Sequence, residues 1–600
     1  MGRLPGMAYS SGITRSQQVQ FGGLRHHPNA GDGEIYDMEN MSARDYPLLR
    51  SRDKRRNGGE LVGATEMFFD NHAMWYVDAD GWLWYKRALL ILKVAYIGAG
   101  ETKFIRFGDR IVLMPAKKLV QAKYTVVGTA ANPAALPTSA EKGTAYVINT
   151  NNDPQAPEWS LFVWTGDEWD SMGAWVVSME AELTATKITI SDGTIYGAAA
   201  TANTLTINLP TSADLAKAGF QAGDAVEIDG LTTEPDNNKI AIIREIGSKS
   251  IAFSDYCFKI PLSASGEKQT SYSETGTITL RRSVPDMDVC FEFENRLWGA
   301  DKKEIFASAL GDPTNFYVFD GLSTDSWYVE LQTRGEITGG IGWHYPTFFR
   351  EGYILRIYGE DATTFQTSEI LAPGVAHGMQ HSLGAAGGLL FYYSPQGMMA
   401  YDGDYPQDLQ QVFGPSEYSG GLAQSDGTDY YIQLTPNQDG PRIYHYDGLR
   451  GIWTVEDSPN IDSMALTEGA ETLLPSIIAM TTGKELTTLK GPGGPWAENK
   501  AAVESFVEFA DFTMESPNRK AVSKLLLRLS LMGTSVTVKI QYDSSGTWKS
   551  VATLTAAGKR SYYLPVVPHR CDHFRVRIEA TGEWALHSLA IEYYVGSALH

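Results

Sequence analysis

Short alternating runs folded back on glycine-containing turns recur along this chain every ~40 residues or so, with hardly any helix-length amphipathic segment between them. Met74–Tyr85 turns at Asp80-Gly81, and Phe104–Met114 turns at Gly108-Asp109. Leu389–Tyr401 turns around Pro395-Gln396-Gly397, Gly421–Leu434 at Asp426-Gly427 and Tyr431–Tyr446 at Asp439-Gly440. Val289–Ser308 and Gly352–Phe365 read as two more such units. The spacing is that of propeller blades rather than βαβ units, and predicts an all-β chain centred on a β-propeller of six or seven blades. An array of β-sandwiches would carry much the same texture. Composition supports the all-β reading, with 59 Gly, 30 Tyr and 14 Trp against 20% charged residues.

The repeat is interrupted and flanked. Residues 1–58 show no sustained period of 2 or 3.6 and predict an extended N-terminal arm, lying on a neighbour or on the chain's own body. Residues 59–123 and 287–490 are the two propeller parts. Between them, 124–180 is an inserted small β module, with Leu136-Pro137, Gly143–Ile148 and Leu161–Trp169 as its landmarks. This segment resembles a small β module scattered through phage tail and fibre proteins. Residues 181–286 read as an inserted small β-barrel, from Phe220–Gly230, Asn237–Arg244 and Ile251–Asp255, with a short helix expected at Ser212–Lys217 capped by Thr211 or Ser212. Its strands resemble the small barrels that decorate phage tail tubes and nozzles. Gly491-Pro-Gly-Gly-Pro-Trp-Ala-Glu-Asn499 marks a linker, and 491–600 reads as that linker with a jelly-roll-like β-sandwich.

Charge and motifs exclude more than they assign. The net charge of −21 argues against an outer surface built to grip phosphates. Residues 1–60 carry nine Lys/Arg against seven Asp/Glu, and five of the basic residues (Arg50, Arg52, Lys54, Arg55, Arg56) fall in one run. These five are candidates for contact with an acidic partner or DNA, set against a plain solvated loop. The run also offers a clamp for a neighbour's carboxylates. The start Met1–Ser10 lacks the apolar core of a secretory signal, and Ala88–Gly100, broken by Lys93, is far short of the ~20 residues a membrane span needs. Cys257, Cys290 and Cys571 are widely spaced and read as small buried hydrophobes, which fits synthesis in a reducing compartment.

No nucleotide-binding loop, nucleophile elbow or Cys-x-x-Cys pair is present. His377 with His381 has helical ligand spacing in a strand-and-turn setting, and His569, Cys571 and His573 alternate along one strand without a partner cluster. Asp543-Ser-Ser-Gly-Thr-Trp548 has one residue too many for a sialidase box. The expectation is therefore a non-enzyme, with no catalytic, cofactor-binding or metal residues and no cofactor.

Two phrases carry a family resemblance. Phe291–Ala300, then Ile305-Phe-Ala-Ser-Ala-Leu-Gly-Asp-Pro-Thr-Asn-Phe316, resembles a passage of phage tail nozzle proteins, including the tail tubular B and packaged-DNA stabilisation proteins. The opening (Phe21–Leu24, Gly33–Ser42, Tyr46–Arg50) and Pro568–His573 resemble prophage structural proteins. By its own chemistry, Arg296 would pair with a carboxylate or cap carbonyls between blades, Asp312-Pro313 would set a turn and Asn315 would close it. The resemblance implies a virion protein of the phage tail, made in the host cytoplasm. It implies a homo-oligomeric ring, usually a hexamer, below the portal and adaptor (head–tail connector) proteins, with tail fibres or spikes as further partners. DNA would be held in the bore and pass through it at ejection without sequence-specific binding, past an acidic lining that repels phosphates. The alternatives are a tail-tip receptor-binding or fibre-attachment protein and a propeller carbohydrate-active enzyme.

Overall fold

The computed structural model describes residues 13–70, 73–152, 158–192, 203–207, 215, 217–253, 257–415, 417–436, 440–468, 475–490 and 502–595. The linker at 491–499, Asp439 and most of the helix expected at Ser212–Lys217 lie outside the described residues.

Turn chemistry sets the strands. At Asp80-Gly81 the Asp78 carboxylate accepts hydrogen bonds from the backbone N–H groups of Asp80 (3.1 Å) and Trp82 (2.9 Å). Gly81 has φ +85°, and a Cβ there would lie 2.4 Å from Ala99 N, so only glycine fits. At Asp426-Gly427 the Asp426 carboxylate likewise accepts from Thr428 N (3.0 Å) and Asp429 N (2.8 Å).

Eight four-stranded sheets result among the described residues, seven of them numbered I to VII. Sheet I comprises Ala64–Asp70, Ala73–Asp78, Trp82–Arg87 and Leu90–Tyr96. Sheet II comprises Lys103–Phe107, Arg110–Met114, Lys118–Gln121 and Val176–Ser178. Sheet III holds Val289–Phe293, Arg296–Asp301, Glu304–Ala307 and Trp327–Glu330, and sheet IV Gly339–Gly342, Pro346–Arg350, Tyr353–Tyr358 and Gln366–Leu371. Sheet V holds Gly384–Ala386, Leu389–Ser394, Gly397–Tyr401 and Gln407–Asp408. Sheet VI holds Tyr418–Ser425, Asp429–Pro436, Arg442–Asp447 and Ile452–Asp457. Sheet VII runs Ile461–Glu468, Pro475–Thr481 and Glu485–Lys490, and takes its fourth strand, Asn57–Glu60, from near the N-terminus.

The chain divides into two compact units, residues 1–69 with 372–600, and residues 70–371. In the second unit one core (Ile105, Val112, Leu119, Leu297, Phe306) joins sheets II and III, and another (Trp298, Ile305, Phe348, Leu355) joins sheets III and IV. Two modules interrupt this stacking. Between the third and fourth strands of sheet II the chain builds a separate sheet from Val126–Ala130, Ala145–Asn149, Trp159–Trp164 and Trp169–Ala174, whose first pair is parallel. A closed six-stranded barrel then opens on Ala181–Asp192 and ends on Ser271–Arg282. These two strands are antiparallel partners, with Ala181 opposite Arg282, so the barrel leaves and rejoins the chain at one point.

In the first unit the core Tyr431, Ile443, Met464 and Ile477 joins sheets VI and VII. The C-terminal sandwich packs Leu525, Leu527 and Leu529 against Val536, Val538, Val576 and Ile578, in one continuous core with Phe391 and Tyr430 of sheets V and VI. The sandwich is not made by the C-terminal segment alone. Thr14–Gln18 and Leu49–Ser51 pair with Trp584–Val595, Met41–Ser42 extends that edge, and Ile35–Glu39 pairs with Glu504–Phe509 in the other sheet. Ile35, Met38, Met41 and Leu49 are at most 1% exposed. The segment expected as an extended arm over residues 1–58 thus supplies strands to both sandwich sheets and to sheet VII, on the chain's own body. The physical reason is that its isolated apolar residues find their alternating partners only on strands several hundred residues away. No helix among the described residues is long and apolar enough to cross a membrane.

Candidate functional site

The five candidate partner-contact residues fall where the N-terminal segment leaves the sandwich for sheet VII. Arg50 is the middle residue of the short strand Leu49–Ser51, and its guanidinium reaches Asp45 (3.2 Å) and Asp53. Lys54 and Arg56 are exposed. Arg52 and Arg55 are each only 5% exposed and turn inward. Arg52 donates to Asn40 Oδ1 (2.7 Å) and to Asp457 Oδ1 (2.9 Å). Arg55 donates to Glu456 Oε2 (2.9 Å) and to the Asp457 carbonyl (2.6 Å). The clamp expected on a neighbour's carboxylates is therefore made, for these two residues, with carboxylates of the same chain at the end of sheet VI. Two guanidiniums brought out of water need such partners, because a buried unpaired charge costs several kcal/mol.

The network continues into a cleft of about 440 Å³ lined by His26, Asp37, Glu39, Tyr418, Arg442 and Asp457, among others. Arg442 donates to Asp37 Oδ1 (3.1 Å) and lies 3.5 Å from Glu39 Oε2. Burial raises the Glu39 carboxyl above its usual range; Arg442 opposes this, while Asp457 and Asp37 add to it. Three carboxylates and one arginine give a polar cleft that ties strand Ile35–Glu39 to sheet VI. The arrangement holds charge in place.

The nozzle-like phrase is also structural in its contacts. Arg296 is 3% exposed and donates to the carbonyls of Ser308 (2.8 Å), Asp325 and Ser323 (2.7 Å). It caps carbonyls rather than pairing with a carboxylate. Asp312 accepts from Thr314 N (2.9 Å) and so sets its turn. Asn315 does not close that turn. Its amide donates to Gly223 O (2.7 Å) and accepts from Ala225 N (3.2 Å), pinning the barrel to sheet III. The buried pair Arg282–Asp224 (2.6 Å) stands at the same barrel end, and Arg282 also donates to the Met179 carbonyl (3.1 Å).

The metal-like clusters are placed as follows. His381 lies in the short turn Gln380–Ser382, so the helix that would align it with His377 is not formed. His569 packs on Tyr542 at 4.7 Å, and His573 Nε2 lies 2.8 Å from Ser544 Oγ. Cys571 is buried, its thiol pushed up to about 11 mainly by that burial, and Cys290 is likewise pushed up to about 12. Among the described residues no group of three or more His, Cys, Asp or Glu is placed to hold a metal ion. Asp543 and Ser544, in the segment weighed as a sialidase box, have φ +48° and form a tight turn closed by Ser545 N on Tyr542 O (3.1 Å).

Sequence reasoning missed Asn40, Glu456 and Asp457. Glu456 and Asp457 end an apolar alternating strand, Ile452–Asp457, and two adjacent carboxylates at a strand end were the available signal.

No protein-family model matches the chain, and no characterised protein matches it by sequence. Among solved structures, the computationally designed Ika8 protein is 10% identical over 72% of this chain and 98% of its own, with a TM-score of 0.30. BBS1N in complex with ARL6DN is 11% identical over 58% of this chain and 92% of its own, with a TM-score of 0.20. The exo-β-1,3-galactanase of Phanerochaete chrysosporium is 9% identical over 50% of this chain and 94% of its own, also at 0.20. Likenesses this low carry no argument about function.

Proposed function

We propose that this chain is a structural virion protein of a tailed phage, a tail nozzle component that forms a homo-oligomeric ring and conducts DNA without gripping it. In this reading sheets I to VII are the blades of one β-propeller. What supports it is that sheets II, III and IV share cores in turn, that sheets V, VI and VII do so as well, and that sheet VII takes its fourth strand, Asn57–Glu60, from just before the first sheet in the chain. The observation that carries the functional reading is the passage Arg296–Phe316. It resembles the nozzle family in sequence, and its polar residues cap carbonyls and pin a module without assembling a reactive site. The overall charge of −21 suits a channel that phosphates slide past. The test is a particle reconstruction by cryo-electron microscopy. The chain is expected as a closed ring around the DNA path, and a position away from that path rejects the reading.

One observation favours the second reading, a tail-tip attachment protein. Val94–Tyr96 and Glu158–Ser160 border a cleft of about 360 Å³, with Tyr96 57% exposed and Trp159 held by its indole N–H on Lys93 O (2.9 Å). A ring that faces a ligand from such a cleft is the usual means of binding sugars or peptides by stacking. Binding of surface glycans by the purified chain, lost on Tyr96→Ala, is the result that would favour it.

A further inference from the structure

Arg52 and Arg55 are committed internally, and a second group of cations lies on the C-terminal sandwich. The outward face of the sandwich sheet that contains Lys520–Leu531 carries Arg528 and, on the outermost strand Gly558–Pro565, Lys559 and Tyr563. The register sets Arg528 opposite Ser561, and Lys559 opposite Ser530, so the two cations stand two residues apart, as diagonal neighbours on one face of adjacent strands. Both side chains are exposed, and neither makes an ion pair among the described residues. Both act on His587, on the strand that flanks Arg528 from the other side: burial first, then the charges of Lys559 and Arg528, push its imidazole below its ordinary value. Tyr563, 69% exposed, lies beside them on the same face. In a chain of net charge −21, an unpaired cationic sheet face next to an exposed aromatic ring calls for an anionic partner.

The complementary surface is on sheet III. Asp301 stands directly opposite Glu304, and Glu304 directly opposite Glu330 on the outermost strand Trp327–Glu330. Like charges facing across strands destabilise a sheet unless something positive sits between them. Here nothing does so fully. The three carboxylates make no ion pair among the described residues, and Lys302 only partly offsets the burial and the Asp288, Glu304 and Asp286 charges that raise the Asp301 carboxyl. Tyr328, 41% exposed, donates its hydroxyl to Glu304 Oε1 (2.7 Å). Each surface therefore presents an outermost strand, an exposed tyrosine and uncompensated charge of one sign.

We infer that the Arg528–Lys559 face of one copy docks on the Asp301–Glu304–Glu330 row of a second copy. The contact joins two different patches of the same chain. It is thus of the head-to-tail kind, which builds a ring where the rotation closes and a filament where it does not. The inference rests on the oligomeric reading above, and it adds which surfaces meet.

Charge reversal on the full chain tests it, read by sedimentation velocity and light scattering, with circular dichroism confirming that each variant is folded. The double variants Arg528→Glu/Lys559→Glu and Glu304→Lys/Glu330→Lys are each expected to weaken association about tenfold or more per contact. The milder Arg528→Gln/Lys559→Gln is expected between them and the unaltered chain. An equal mixture of the two reversed variants is expected to assemble again, because every contact in an alternating ring then pairs opposite charges. Raising the salt concentration should weaken the unaltered chain and the mixture alike, over a Debye length of ~8 Å at physiological ionic strength. Assembly unaffected by either reversal, or folded variants that do not rescue one another, overturns this contact and leaves the ring reading standing. An unaltered chain that stays monomeric at every concentration and low salt also overturns it, and the ring reading then turns on the particle reconstruction alone.

Discussion

The barrel and the sandwich are both closed, well-packed β modules, yet they are assembled from opposite kinds of sequence. The barrel draws its six strands from residues 181–282 and enters and leaves through one antiparallel pair. The sandwich draws strands from residues 14–51 and from 504–595, so that its sheets tie the N-terminal segment to the C-terminal one within a single compact unit. The barrel is built from one local stretch of chain, whereas the sandwich is built from two distant ones.

The largest expected effect comes from removing residues 1–58. Both sandwich sheets lose edge strands, sheet VII loses part of its fourth strand, and Ile35, Met38, Met41 and Leu49 leave a gap in a continuous core. Circular dichroism should show loss of the cooperative transition of residues 372–600. A truncated chain that melts like the full one would show the fastening to be decorative. Next is Glu456→Ala, which leaves the buried Arg52 and Arg55 to share Asp457 and should cost about 1.5–3 kcal/mol in denaturant unfolding.

Acid comes third. Burial works to raise the Asp429 carboxyl, but His445 and Lys490, the latter 2.7 Å away on sheet VII, bring it down to about 2. The folded value lies below the unfolded ~3.9, so the stabilisation is whole above pH ~4 and is lost as pH falls toward 2. Melting temperature measured across that window should fall less steeply in Asp429→Asn than in the unaltered chain. Asn315→Ala should cost about 1–2 kcal/mol, seen as earlier proteolysis of the barrel while residues 372–600 melt unchanged. The smallest effect is expected from excising residues 182–281 across a short glycine-serine link. The paired ends are about 5 Å apart, and the first unit should melt as before.

What was legible in the sequence follows the same divide between near and far. The hairpins at Asp80-Gly81, Gly108-Asp109 and Asp426-Gly427 were readable because a turn residue acts on its own backbone. The carbonyl-capping role of Arg296 was readable as one of two options, since all its acceptors lie within 29 residues. The destination of residues 14–51 was not, because nothing local distinguishes a strand that pairs some five hundred residues away from an extended arm. Arg52 and Arg55 looked like free cations for the same reason: Glu456 and Asp457 are about four hundred positions distant. Asn315 was assigned to its own turn because its true acceptor, Gly223, belongs to another module.

The late partner of Asn57–Glu60 also sets a schedule. That strand leaves the ribosome early, and the strand it pairs with, Glu485–Lys490, follows only after about 430 residues, roughly 20–90 s at ordinary elongation rates. Thr14–Gln18 waits longer still, for Trp584–Val595. Throughout that interval the nascent chain carries unpaired strand edges in a crowded cell, where other edges compete for them. The exposed basic residues beside Asn57, with glycines at 58 and 59, make this waiting segment a poor template for mispairing, so the order of synthesis is itself accommodated in the composition of the strand that must wait.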